Sequence, residues 1–66
     1  MKFLFMRIVG KDGYRKGSLI QGWRLDPIFI SVITKDGRKR SRLLYDISEI
    51  YIENELVYPI KGGKVL

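Results

Sequence analysis

The sequence predicts an all-β domain, a small and highly curved barrel of five or six short antiparallel strands. Three observations carry that expectation. First, 22 of the 66 residues are β-branched or aromatic, and Ala is absent. Second, no stretch keeps the 3.6-residue apolar period of an amphipathic helix. Third, an Asp-Gly hairpin signal occurs twice, at Asp12-Gly13 and Asp36-Gly37. Glycine takes a positive φ at little cost and Asp tolerates it, so both pairs suit tight turns between strands.

The elements follow in order. The first strand is predicted from about Lys2 to Val9 and ends at the Asp12-Gly13 turn. A long second strand covers Tyr14–Leu25, with bulges or bends expected at Gly17 and Gly22. Asp26-Pro27 is a turn, because Pro lacks the N–H that a central strand donates. Ile28–Thr34 and Arg38–Tyr45 form the third and fourth strands around Asp36-Gly37. Asp46–Glu49 reads as one short turn, and Ile50–Glu53 and Leu56–Ile60 as short strands around Asn54. The domain therefore spans 1–61, and Gly62-Gly63-Lys64 opens a mobile tail over 62–66. Such a pattern falls among the SH3-like, Sm-like and OB barrels, with the lack of a helix counting against the OB fold and against a full Sm fold, which normally begins with one.

Composition excludes several classes of chemistry. The chain holds no Cys and no His. A disulfide scaffold, a Cys/His metal site, a thiol nucleophile and an imidazole base are all ruled out. Asp12, Asp26, Asp36 and Asp46 sit where turn capping explains them, and no phosphate loop or nucleophile elbow is present. Glu53 and Glu55 lack any recognised spacing for an oxygen-ligated metal. The expectation is a protein that is not an enzyme, with no cofactor and no metal. The apolar run Phe3–Met6 is too short for a signal peptide or a membrane span, which points to a cytoplasmic protein without a membrane partner.

Charge supplies the functional expectation. The chain has 13 Lys and Arg against 7 Asp and Glu, a formal net charge of +6. Residues 1–42 carry 11 basic and 3 acidic side chains, and residues 43–66 carry 2 and 4. A charge asymmetry of this kind marks a basic face, for which nucleic acid is the commonest polyanion. The densest segment is Lys35–Arg42, with five basic residues in eight. Strand side chains alternate, so Arg38, Arg40 and Arg42 share one face, about 6.6–6.8 Å apart. Guanidinium forks at that spacing suit a row of phosphates. Edge protection by charge is the competing explanation, but it needs fewer charges than this.

In an up-and-down meander the two Lys-Asp-Gly tips fall at one end. Lys11, Arg15, Lys16, Lys35, Arg38, Lys39 and Arg40 are thereby expected to form one basic rim, with Asp26, Asp46 and Glu49 at the opposite end. Tyr14, beside the first tip, is the stacking candidate for an unpaired base. Leu19, Trp23 and Leu25 are expected on one core-facing side, with Phe3, Phe5 and Phe29 as packing residues. The first strand is apolar on both faces, Phe3, Phe5 and Val9 against Leu4, Met6 and Ile8, which predicts a homo-oligomer. The functional expectation is RNA or single-stranded DNA binding through the rim, because no recognition helix is available for a major groove. The alternative is a protein-interaction or assembly module that meets an acidic protein partner.

The segment Gly17–Ile52 resembles the Sm-like, Hfq-like superfamily of small β-barrels. Gly17-Ser18-Leu19-Ile20-Gln21-Gly22-Trp23-Arg24-Leu25-Asp26 looks like the bent second strand ending in the Asp of the first Sm motif. Tyr45-Asp46-Ile47-Ser48-Glu49-Ile50 looks like the turn entering the last strand. Ile30 stands where that motif places a base-contacting Asn, and neither the Arg-Gly dipeptide nor a Lys-His pair is present. The resemblance thus implies a fold class and ring assembly, and it carries over no RNA pocket. WYL-type ligand-sensing domains have a similar strand pattern.

Overall fold

The computed structural model describes residues 2–60. The predicted tail, 62–66, lies outside them. Six strands appear and no helix: β1 (Leu4–Gly10), β2 (Arg15–Leu25), β3 (Phe29–Thr34), β4 (Lys39–Leu43), β5 (Ile47–Ile52) and β6 (Glu55–Tyr58). All pairings are antiparallel, and the strands form one sheet in the order β4-β3-β2-β1-β5-β6. Among the described residues β4 and β6 are its two edges, so the sheet is open where the sequence predicts a closed barrel.

The sheet is nevertheless strongly curled, and one connection requires it. Only Leu44, Tyr45 and Asp46 join β4 to β5. The chain from Leu43 to Ile47 can reach at most about 14 Å. In a flat sheet β4 and β5 would lie four strand spacings apart, about 19 Å. The link closes only if the sheet folds back on itself. The smallest principal extent, 21 Å, agrees, because two sheet layers pack about 10 Å apart.

The bend sits in β2. Its register with β3 shifts between Ile20 and Gly22, leaving Gln21 as the extra residue of a β-bulge. This inverts the alternation along the strand. Leu19 pairs with Phe5 on the outer face, whereas Trp23 pairs with Val32 on the inner face. The predicted single face of Leu19, Trp23 and Leu25 is therefore broken. Leu19 and Trp23 stay 42% and 38% exposed, and only Leu25 of the three packs on the core.

Gly17 does not bulge, because its pairing with Arg7 is regular. Its missing side chain serves a different purpose. A Cβ there would lie 2.7 Å from the tip of the Phe5 ring, which covers the glycine on the outer face. Phe5 packs over Gly17 yet remains 39% exposed, and Phe3 and Phe29, both half-buried, stand outside the core cluster.

The core is aliphatic: Met6, Ile8, Ile20, Ile30, Leu44, Ile47, Ile50 and Ile52, with Leu4, Leu25, Val32, Val57 and Tyr58 packed around it. Among the described residues no polar or charged side chain is buried. The turns match the glycine chemistry, with Gly13 and Gly37 at φ of 91° and 90°. Glu53 and Asn54 form the β5–β6 turn with φ of 52° and 66°. Two bonds to Phe5 hold Glu53 in that unfavourable region: its N–H donates to the Phe5 carbonyl (2.8 Å), and its carboxylate accepts from the Phe5 N–H (2.7 Å).

Two outcomes follow for stability. Ile50 is fully buried, so Ile50→Ala should cost about 2–5 kcal/mol, comparable to all that a core of this size supplies. Urea unfolding would show the variant largely unfolded without denaturant, and an unchanged midpoint would contradict the core assignment. Gly17→Ala should cost on the order of 1 kcal/mol by displacing the Phe5 ring. In a Phe5→Ala background that cost should vanish, a coupling that a double-mutant cycle reads directly.

Candidate nucleic-acid interface

The arginine row takes its direction from strand pairing. Arg42 is opposite Ile30 and Arg40 opposite Val32. Arg38 closes the hairpin opposite Thr34, whose N–H donates to the Arg38 carbonyl (2.7 Å). Residues directly opposite in an antiparallel pair project to the same side. All three arginines therefore belong to the inner, concave face, beyond the edge of the core. Lys39 and Ser41 take the outer face, opposite Ile33 and Ser31. On β2, Lys16 is opposite Ile8 and projects inward, while Arg15 is opposite Val9 and projects outward.

This alternation divides the nine candidate site residues, the seven of the expected rim together with Tyr14 and Arg42. Lys16, Lys35, Arg40 and Arg42 line a single cavity of about 660 Å³ on the concave face. Lys11, Tyr14 and Arg42 line a second cavity of about 540 Å³ at the first hairpin tip. Arg42 belongs to both. Arg15 and Lys39 are on the other side of the sheet, and Arg38 lines neither cavity. The floor of the larger cavity is formed by Met6, Ile8, Ile20 and Ile30, none more than 7% exposed. The floor is thus sealed core, and what the cavity offers a ligand is its polar wall. That wall holds four cations and one carboxylate, Asp36.

The two hairpin tips have separate anchors. Lys11 N–H donates to the Asp46 carbonyl (2.9 Å), docking the first tip on the β4–β5 turn. Gln21 Nε2 donates to the Lys35 carbonyl (3.0 Å), docking the second tip on the β2 bulge. Their basic residues meet across the concave face, through Lys16, and not side by side as a flat meander implies.

The acidic pole is displaced as well. Asp46 lies at the first tip, and Glu49 is opposite Val9 near the same end. The reason is that β5 runs antiparallel to β1 and so must begin where β1 ends. The predicted turn at Asp46–Glu49 accordingly lies earlier, over Leu44–Asp46, with Ile47 already in β5.

Carboxylates touch two of the three arginines. Arg38 Nε is 3.5 Å from Asp36, and Arg42 Nη2 is 3.9 Å from Asp46, both pairs substantially exposed. Pairs of this exposure are weak and exchange readily for another anion. Arg40 makes no ion pair among the described residues. The Arg42 guanidinium also stands 5.9 Å from the Tyr14 ring centroid, at the outer reach of a cation–π contact. Tyr14 is 46% exposed, as a stacking residue must be. Tyr45, 74% exposed, shares its cavity; it follows the arginine row in sequence but is not among the residues expected at the site. Its placement depends on the short β4–β5 link.

Comparison with family models, with curated proteins and with solved structures finds no match to this chain.

The Thr34 hydroxyl donates to the Asp36 carboxylate and holds its pKa below the usual value, with Arg40 adding to the effect. The same hydroxyl accepts from Arg38 N–H (3.0 Å). A depressed carboxylate pKa contributes stability above its unfolded-state value, and that contribution is lost as pH falls through the folded value. Thr34→Val should therefore raise the Asp36 pKa in an NMR carboxyl titration and remove the acid-side loosening of this tip. An unchanged titration would contradict the turn geometry.

Proposed function

We propose that this chain binds single-stranded nucleic acid, RNA or DNA, along the concave face of its sheet. The observation that carries the reading is the gathering of Lys16, Lys35, Arg40 and Arg42 around one cavity whose lining holds a single carboxylate. They come from different strands and turns, so the positive potential adds up over a surface that no one segment provides. Arg40 and Arg42 stand two residues apart on one strand, about 6.6–6.8 Å, and each fork can hold a phosphate bidentately. A concave groove bordered by an edge strand admits an extended single strand more readily than a duplex. Contacts of this type fix affinity and not sequence.

The reading includes an architecture related to the small SH3/Sm-like barrels. The bent β2 and the three-residue entry into β5 support it. It also includes self-association, supported by Phe5 and Leu19, which face each other across β1 and β2 and both remain exposed on the outer face. That outer pair is also what favours the alternative, a protein-interaction module. The alternative predicts saturable binding of a protein and no affinity for oligonucleotides.

A salt titration of oligonucleotide binding tests the proposal. Affinity should fall linearly with salt on a log–log plot, and Arg40→Ser with Arg42→Ser should lower the slope by about 0.7 for each phosphate contact removed. Binding that is flat from low to high salt would remove the phosphate reading.

A further inference from the structure

The second cavity differs in kind from the concave track. It opens where the first hairpin tip meets the β4–β5 turn, pinned by the bond from Lys11 N–H to the Asp46 carbonyl. Its wall is made of Lys11, Asp12, Tyr14, Arg42, Tyr45 and Asp46, with Gly10 behind them. None of the core aliphatic residues lines it. The two tyrosines, 46% and 74% exposed, contribute little to burial. Two exposed phenol rings on opposing segments beside two cations are the components of a stacking site with phosphate anchors at its rim.

The two carboxylates are not equivalent. Asp12 Oδ1 accepts from Tyr14 N–H (3.0 Å) and is occupied in capping its own turn. The Asp46 carboxylate is half exposed, and its nearest cation, Arg42, stands 3.9 Å away. An ionised carboxylate only accepts hydrogen bonds. Among the nucleobases, guanine alone presents two adjacent N–H donors, at N1 and N2, on its pairing edge. Uracil offers one such donor, and adenine and cytosine offer an amino group beside an acceptor.

We propose that this cleft takes one unpaired guanine of a single-stranded nucleic acid. The base stacks on Tyr14 and Tyr45, the Asp46 carboxylate accepts from its N1–H and N2–H, and Lys11 and Arg42 hold the phosphates on either side. This rests on the nucleic-acid reading above and adds a preference to it. Arg42 lines both cavities, so a strand held in the cleft continues directly onto the concave track. A duplex cannot use the cleft, because its bases are already stacked and paired.

The experiment compares three short labelled probes: an oligouridylate, the same chain with one central guanosine, and the same chain with an abasic central site. Fluorescence anisotropy should rank the guanosine probe first and the abasic probe last. Tyr14→Ala and Tyr45→Ala should each weaken the guanosine probe by about tenfold and leave the abasic probe unchanged. Phe at either position should retain most of the binding. Asp46→Asn should abolish the preference for guanosine over uridine while leaving oligouridylate binding intact. Equal affinity for the abasic and guanosine probes, with Arg40→Ser still weakening both, overturns the cleft and leaves the concave track standing. No binding of any probe overturns both. Tyr45 is so exposed that its Ala variant should keep the fold, which the amide spectrum of the variant checks.

Discussion

The short link between β4 and β5 is the constraint on which the molecule depends. Three residues must carry the chain from one edge of the meander to the far side of β1. They can do so because the sheet curls: the Gln21 bulge breaks the register of β2 with β3, and further register shifts occur at Val9/Gly10 of the β1–β5 pair and Ile50/Tyr51 of the β5–β6 pair. That folding seals Ile20, Ile30, Ile47 and Ile50 into a core almost without water access. It also sets the Arg40–Arg42 strand across from Lys16, and the Tyr45–Asp46 turn against the first hairpin. Core and candidate site are thus two results of one curl. A change that straightens β2 would disturb both.

The electrostatics follow from the same geometry. Cations arranged around a concave surface with a low-dielectric floor reinforce one another's field more than cations spread over a convex one. They also repel, and the local carboxylates offset this only in part. Asp36 and Asp46 stand beside Arg38 and Arg42 at 3.5 and 3.9 Å, whereas Arg40 is left without such a neighbour among the described residues. An incoming phosphate chain would relieve that repulsion. Among the described residues the positive charges lie outside the sealed core, so the fold there bears no cost for a buried ion.

Much of the fold is legible in the residues. Each of the six strands overlaps the stretch read for it, and the two Asp-Gly pairs take the positive φ that their chemistry allows. The alternation that puts Arg38, Arg40 and Arg42 together also holds. What fails is what depends on a single inserted residue or on three dimensions. The bulge at Gln21 inverts the face of Trp23 relative to Leu19, and nothing in Gln21-Gly22 states which residue will be skipped. Gly17 looks like a break and is instead a seat for the Phe5 ring. A flat meander places Asp46 at the pole opposite the basic tips, and the curl of the sheet brings it to the first tip instead. The signal for this is the length of the β4–β5 link set against the width of the sheet. Sequence proximity groups Arg15 and Lys39 with the basic cluster, yet each is one residue out of phase with the inner face.

That phase relation gives the most direct test of the account. Arg15 and Lys16 are neighbours in the chain on opposite faces, as are Lys39 and Arg40. Side-chain chemical shifts recorded while a short single-stranded oligonucleotide is titrated in should move for Lys16 and Arg40 and stay fixed for Arg15 and Lys39. Shifts confined to Arg15 and Lys39, or spread evenly over all four, would contradict a concave binding face.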